Sequence, residues 1–443
     1  MKSFTVTPGR PLAGTITVPG DKSVTHRAII MTALAEGESR VSSYCRGEDC
    51  LNTMRAFQSM GIQIEEQPDV LRVHGKGLWG LREAEGPIDC GNSGTGTRLL
   101  AGLLAGQDFF TILTGDESIR RRPMGRVVKP LRQMGAVIAG RKGGELAPLA
   151  ISGTRLHGID YTSPVASAQI KSSLLFAGLF AEGTTRFREP RLSRDHTERM
   201  FQFFGIPLTD ESGTLVLQGR PATGWTGREI IIPGDFSAAA FFLVGAAIVA
   251  GSDVTIRNVG INPTRTGLIE VLTAMGAKIE VLDPRDQAGE PVADLRVRSA
   301  PLKGVSVGPE LIPQTIDEFP ILCVAAAVAD GVTTISGAEE LRVKESDRIA
   351  TMAAELRAMG AQITEQPDGM VIQGLGRAGQ NGRLTGTLTG RSHGDHRVAM
   401  SLAIGGLTAA TPTRVDDTGC VDTSFPNFEA TLVGLLTPQA RGL

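Results

Sequence analysis

Two cations and two hydroxyls stand within six residues in Lys22-Ser23-Val24-Thr25-His26-Arg27. The cluster follows the turn Pro19-Gly20 and opens an apolar run, Ala28 to Leu34. Ser23 is the expected N-cap of the helix that this pattern predicts. Unpaired backbone N–H groups and the positive dipole end of a helix N-terminus favour anions, so Lys22 and Arg27 define a candidate phosphate or carboxylate site. A capped helix with two solvated cations is the other reading the residues allow.

The same chemistry recurs along the chain. Cys90-Gly-Asn-Ser-Gly-Thr-Gly-Thr-Arg98 has small residues that let backbone N–H groups approach a ligand, but lacks the Gly-Lys-Ser/Thr ending of a P-loop. Three consecutive arginines, Arg120 to Arg122, lie in a turn-rich stretch. Ser167-Ala-Gln-Ile-Lys171 places two hydrogen-bonding side chains and a cation at another helix start, and Ser193-Arg-Asp-His-Thr-Glu198 crowds polar groups before an apolar run. Carboxylates enter later, in Asp317-Glu318 and in Leu341-Arg-Val-Lys-Glu-Ser-Asp-Arg348. Asp395-His-Arg397 again sets a cation and a titratable group before an apolar helix. Caps and local ion pairs would explain each stretch taken singly. Together they show many cations, few carboxylates and no metal-ligand set, which suits small anionic substrates and proton transfer by Asp, Glu and Lys.

The elements that must position these groups repeat. Val18-Pro-Gly-Asp-Lys-Ser23 returns as Ile232-Pro-Gly-Asp-Phe-Ser237, so the two halves read as copies. Within them a helix ending in Met-Gly or Phe-Gly before a strand recurs at Gly61, Gly135, Gly205, Gly276 and Gly360, with a worn sixth copy near Gly434. A second, almost wholly apolar helix starts near Ser23, Thr95, Ser167, Ser237, Asp317 and Asp395, and such helices should be buried. The expected architecture is α/β, with six units of about 70 residues in two domains.

Composition narrows the class. The 443 residues suffice for more than one core, and 45 basic against 47 acidic residues exclude a global field for nucleic acid or membrane. The five cysteines are scattered without CxxC spacing, and no uninterrupted apolar run reaches membrane length. No signal or transit segment is read at the start, so a cytoplasmic protein is expected.

The motifs Pro19-Gly-Asp-Lys-Ser23, Gly91-Asn-Ser-Gly-Thr95, Arg122-Pro123, Ser167-Ala-Gln169, Arg342-Val-Lys-Glu-Ser-Asp-Arg348 and Asp395-His-Arg397 together resemble the 5-enolpyruvylshikimate-3-phosphate synthases. Ser167-Ala-Gln-Ile-Lys171, Arg194-Asp-His-Thr-Glu198 and Asn262-Pro-Thr-Arg265 resemble their class II branch. The resemblance implies a two-domain inside-out α/β barrel, the enolpyruvyl transferase fold, with three βαβαββ repeats per domain. Residues 1–20 with 235–443 would form a discontinuous domain, residues 21–234 an inserted one, and the active site would lie in the cleft between them. The implied reaction moves the enolpyruvyl group of phosphoenolpyruvate to the 5-hydroxyl of shikimate 3-phosphate, without metal or organic cofactor. Carried over by position, Lys22, Ser23, Arg27, Ser167, Ala168, Gln169, Arg194, Asp317 and Lys344 would hold shikimate 3-phosphate. Lys22, Gly94, Arg122, Gln169, Arg348, His396 and Arg397 would hold phosphoenolpyruvate. Lys22, Asp317 and Glu345 would be catalytic, Glu345 exchanging the proton at C3 and Asp317 taking the hydroxyl proton.

The resemblance also implies a monomer inhibited by glyphosate, since Gly94 carries no methyl group. The chain departs from it at Thr423, where many members carry lysine, and at Ala168, where a class I serine is absent and Lys171 is expected to compensate. Two rivals are a UDP-N-acetylglucosamine enolpyruvyl transferase and a non-catalytic anion-binding repeat protein. The first typically needs a reactive cysteine in the loop Gly115 to Arg120, and this chain has none between Cys90 and Cys323. The second has little need for Asp317 and Glu345 together.

Overall fold

A computed structural model describes residues 2–376, 383–385 and 389–436. The chain divides into two compact units. The inserted unit comprises Gly20–Pro233 with Asp286–Glu290; the split unit comprises Met1–Pro19, Gly234–Arg285 and Pro291–Leu443.

The inserted unit holds three four-stranded sheets of one design. In the second repeat Ile88–Asp89 runs parallel to Phe110–Thr114, which pairs antiparallel with Leu146–Ser152, and Val137–Gly140 closes the edge. In the third repeat Asp160–Thr162, Thr184–Arg188, Thr214–Gln218 and Leu208–Asp210 repeat that order. The first repeat takes its leading strand from the far end of the segment: Glu229–Ile231 lies parallel to Glu36–Ser42, followed by Val70–Lys76 and Gln63–Glu66.

The strand that precedes the first buried helix in sequence, Ala13–Thr17, instead pairs with Asp253–Gly260 in the split unit. The two Pro-Gly-Asp turns are therefore where leading strands are exchanged. Asp21 N–H donates to Pro233 O at 2.7 Å, and Asp235 N–H to Pro19 O at 2.8 Å, so each turn hydrogen-bonds the strand end it has acquired.

Among its described residues the split unit has two more four-stranded sheets and one of three strands. In the latter, Gly390–Arg391 and Thr413–Asp416 are completed by the N-terminal strand Ser3–Val6. Gly434, expected to end a worn sixth helix before a strand, lies inside the helix Phe428–Leu436. The N-terminal strand fills the place that sixth copy would have needed.

Each unit buries three helices that are apolar on most faces. They are Lys22–Ala33, Gly94–Ala105 and Ala168–Gly178 in the inserted unit, and Phe236–Ile248, Phe319–Val328 and His396–Gly406 in the split unit. Each unit has its own core, and a fully buried Leu or Phe there contributes roughly 1.5–3 kcal/mol. The outer helices end as expected: Gly61, Gly135, Gly205, Gly276 and Gly360 all have φ between 75° and 98°, a region costly for other residues. Gly106 is glycine for a different reason. Its φ is −95°, and a Cβ there would lie 2.4 Å from Phe180 Cβ.

Several caps fall upstream of their expected positions. Asp21, not Ser23, accepts from Val24 N–H at 2.8 Å, and Ser93 accepts from Gly96 N–H at 2.9 Å. Asp235 accepts from Ser237 N–H at 2.7 Å. Ser167 and Asp395 cap as their positions suggest. Neither Asp317 nor Glu318 caps the helix Phe319–Val328, so their carboxylates have other partners. No helix among the described residues is long and apolar enough to cross a membrane.

Candidate active site

In the inserted unit the first turns of the buried helices, and the loops before them, hold cations in two clusters. Lys22 Nζ lies 2.7 Å from Asp49 Oδ2, a buried carboxylate in the first turn of the helix Glu48–Ser59. The next turn of the Lys22 helix buries Arg27. Its Nε donates to Thr197 Oγ1 at 2.7 Å, Nη2 to Ser172 Oγ at 2.7 Å and Nη1 to Ser23 O at 2.8 Å. Three of its five N–H groups are thus held by the protein. Burial pulls the Arg27 pKa down to about 10, Glu198 and Asp21 oppose that, and the nearby charge of Arg194 adds to the lowering. Arg27 and Arg194 are therefore close enough to feel each other.

A second cluster surrounds Gly94. Arg98 donates to Gly94 O at 3.3 Å, to Gln169 Oε1 at 2.8 Å and to Pro123 O at 2.9 Å. The Gln169 amide donates in turn to Thr95 Oγ1 at 3.2 Å. Arg122 is buried, with Nη1 3.4 Å from Asn92 O. A Cβ on Gly94 would lie 2.8 Å from Arg122 Nη2 and 2.9 Å from Arg98 Nη1, so the missing side chain makes room for both guanidinium groups. Ser167, at the start of the Ala168–Gly178 helix, accepts from Ile170 N–H.

Lys171 does not compensate for Ala168. It is 0% exposed, and its ammonium is held by Glu198 at 2.7 Å, Glu189 at 2.9 Å and Ser193 O at 3.2 Å. Burial opposes its charge, but the two carboxylates outweigh that and raise its pKa. A cation near a helix start reads in sequence as an anion ligand; two carboxylates on later segments decide otherwise.

The split unit gathers carboxylates around one guanidinium. Arg348 is 1% exposed. Its Nε lies 2.8 Å from Asp395 Oδ2, Nη2 2.7 Å from Glu345 Oε2 and Nη1 3.5 Å from Asp317 Oδ1. Burial works against that charge, yet Asp395, Glu345 and Asp317 prevail and raise the Arg348 pKa. Burial likewise disfavours ionised Asp395, but Arg348 holds its pKa below the usual carboxylate value. Arg397 reaches Asp317 twice, at 3.4 Å to Oδ2 and 3.1 Å to the carbonyl. Lys344 sits 3.5 Å from Glu340, with its pKa lowered by burial and by Arg348. His396 is buried on the first turn of its helix.

Thus the structure groups Lys22, Ser23, Arg27 and Arg194, separately groups Gly94, Arg122 and Gln169, and in the other unit groups Asp317, Lys344, Glu345, Arg348 and Arg397. Sequence reasoning missed Asp49, the role of Arg98, and His26. The His26 ring is fully buried, with Nδ1 2.8 Å from Thr53 Oγ1 and Nε2 3.4 Å from Ser93 Oγ. Burial, then Lys22 and Arg27, push its pKa down to about 3. It is neutral at pH 7 and ties three elements of the site together. An acid at a helix start and a histidine between a threonine and an arginine gave no signal of these partners.

Two units of three sheets, with cations at helix starts in one and acids around Arg348 in the other, have the enolpyruvyl transferase fold. The enolpyruvyl transferase NikO from Streptomyces tendae shares this fold at a TM-score of 0.78, with 16% identity over 97% of this chain and 96% of that one. Within that class the relationship is closer. The family described as EPSP synthase (3-phosphoshikimate 1-carboxyvinyltransferase) matches residues 6–432. A solved EPSP synthase from Acinetobacter baumannii is 45% identical, covers 98% of both chains and superposes with a TM-score of 0.87. The 3-phosphoshikimate 1-carboxyvinyltransferase of Geobacter sulfurreducens is 57% identical over 98% of this chain and 99% of its own length. That of Acidithiobacillus ferrooxidans is 54% identical over 97% of each. The chain belongs to the EPSP synthase family and is an enzyme.

Proposed function

We propose that the protein transfers the enolpyruvyl group of phosphoenolpyruvate to the 5-hydroxyl of shikimate 3-phosphate, releasing phosphate, as a step of the shikimate pathway. The observation that carries the chemistry is Arg348, buried between Asp317, Glu345 and Asp395 with Arg397 beside Asp317. A repeat protein that only bound anions would have no use for acids gathered among its cations.

In this reading Lys22, Ser23, Arg27, Ser167, Ala168, Gln169 and Arg194 receive shikimate 3-phosphate, with Asp317 and Lys344 from the split unit. Lys22, Gly94, Arg122 and Gln169 receive phosphoenolpyruvate, with Arg348, His396 and Arg397. Addition requires the 5-hydroxyl to lose a proton as C3 of the enol gains one, giving a tetrahedral ketal phosphate. Asp317 takes the first proton and Glu345 supplies the second. Elimination reverses the traffic: Glu345 removes a C3 proton as the C–O bond to phosphate breaks, and the arginines stabilise the charge leaving on phosphate. Lys22, held by Asp49, stands among the anions with its charge fixed in place. We further propose a cytoplasmic monomer that glyphosate inhibits at the phosphoenolpyruvate position.

The test is phosphate release from phosphoenolpyruvate with shikimate 3-phosphate or UDP-N-acetylglucosamine as acceptor. Release with shikimate 3-phosphate alone is expected. Release with the nucleotide sugar, or with neither acceptor, overturns the assignment.

A further inference from the structure

Arg194 follows a five-residue stretch, Glu189 to Ser193, whose middle residues Pro190, Arg191 and Leu192 are exposed. Both ends are pinned to one point. Glu189 Oε1 accepts from Ser193 N–H at 2.8 Å and from Lys171 Nζ at 2.9 Å, while Lys171 also donates to Ser193 O at 3.2 Å. The third N–H of the ammonium goes to Glu198 at 2.7 Å, one residue beyond Thr197, which holds Arg27 Nε. All three donors of Lys171 are used within the protein.

Stability alone does not account for this arrangement. The surrounding helix positions, Ile170, Leu174, Leu175 and Phe176, are buried and apolar, so apolar side chains replacing Lys171, Glu189 and Glu198 together would suit the space. Replacing a buried ion pair by apolar groups is often neutral or stabilising. What an apolar side chain could not do is hold the Ser193 C=O and also fix the Glu189 carboxylate that accepts the Ser193 N–H, and so fix where the next residue begins.

We infer that Lys171 and Glu189 are positioning residues that clamp the loop carrying Arg194, fixing where its guanidinium meets the phosphate of shikimate 3-phosphate. The inference rests on the proposed function, since it takes Arg194 as a ligand of that substrate. Neither Lys171 nor Glu189 touches substrate in this account. Their effect passes through Arg194 and falls on one substrate only.

Steady-state kinetics of the full chain test it. Glu189→Ala is expected to raise the KM for shikimate 3-phosphate about 10- to 100-fold, the loss of one hydrogen bond to a charged group, with the KM for phosphoenolpyruvate within about twofold. Glu189→Gln keeps an acceptor for Ser193 and should recover most of the loss. Adding Arg194→Ala to Glu189→Ala should cost much less than Arg194→Ala alone, because the two act through one contact. Lys171→Met should reproduce the same KM split; if it does not fold, the Glu189 and Arg194 cycle carries the test unaided. An unchanged KM for shikimate 3-phosphate, a parallel rise in both KM values, or additive losses in the cycle overturns the clamp. Failure of the wild-type protein to release phosphate with shikimate 3-phosphate removes the proposed function and the clamp with it. An active wild type with an insensitive KM removes the clamp alone.

Discussion

His26 should make the inserted unit sensitive to mild acid. Its ring is 0% exposed, and its pKa falls from 6.5 to about 3 through burial first, then Lys22 and Arg27. Because the folded pKa is depressed, the unfolded chain binds more protons than the native one between these values. Stability is therefore present above pH 6.5 and lost as pH falls toward 3. Two-state linkage puts the loss from pH 7 to pH 5 at about 2 kcal/mol, and at about 4 kcal/mol once pH reaches 3. The assay is urea unfolding followed by tryptophan fluorescence. Both tryptophans, Trp79 and Trp225, lie in the inserted unit, and buried Trp225 donates to Met31 O on the helix that carries His26. Wild type is compared with His26→Asn, whose amide reaches Thr53 but does not titrate. The variant starts less stable because the smaller side chain leaves space, so the slopes matter rather than the offset. Wild type should lose about 2 kcal/mol more than the variant between pH 7 and 5. Parallel curves would refute the reasoning, showing that the ring either gains no penalty on protonation or is already charged.

Gly94→Ala should raise the KM for phosphoenolpyruvate and weaken glyphosate inhibition by at least about tenfold, because the new methyl would press on Arg122 and Arg98 at under 3 Å. An unchanged inhibition constant counts against that steric account. Glu345→Gln should lower kcat about 100- to 10,000-fold with little change in thermal midpoint, as expected for a lost acid–base group; substantial remaining turnover removes Glu345 from proton transfer. Arg348→Met should cost about 3–5 kcal/mol of split-unit stability, since it strands the fully buried Asp395 carboxylate. That loss is to be read by circular dichroism, as tryptophan fluorescence reports on the other unit; an unchanged midpoint would show that Asp395 is neutralised without Arg348.

What could be read from sequence was whatever a residue's own backbone demands. Gly61, Gly135 and their counterparts marked helix ends because a left-handed turn there admits little else, and their spacing exposed the repeats. The apolar helices were legible for the same local reason. Partners were not. Nothing in Ala13–Thr17 says that it pairs with Asp253–Gly260 rather than with Glu36–Ser42, because parallel pairing across such separations leaves no local trace. The repeated Pro-Gly-Asp turn was visible in the residues themselves; the exchange of leading strands at it was expected only through the family resemblance, as a discontinuous domain of residues 1–20 with 235–443. The site divides along the same line. Lys22 was singled out because a cation at a helix start suggests an anion, and Arg122 and Arg348 because their motifs resemble the family's. Asp49, His26 and Arg98 were missed because each takes its meaning from a side chain on another helix. Lys171 shows the limit most clearly: its type and position are those of a ligand, yet Glu189 and Glu198 spend its charge inside the fold. A cation at a helix start is therefore a candidate ligand only where donors remain once its protein partners are counted. By that count Lys171 is structural within its own contacts, and its bearing on substrate can come only through the loop it holds.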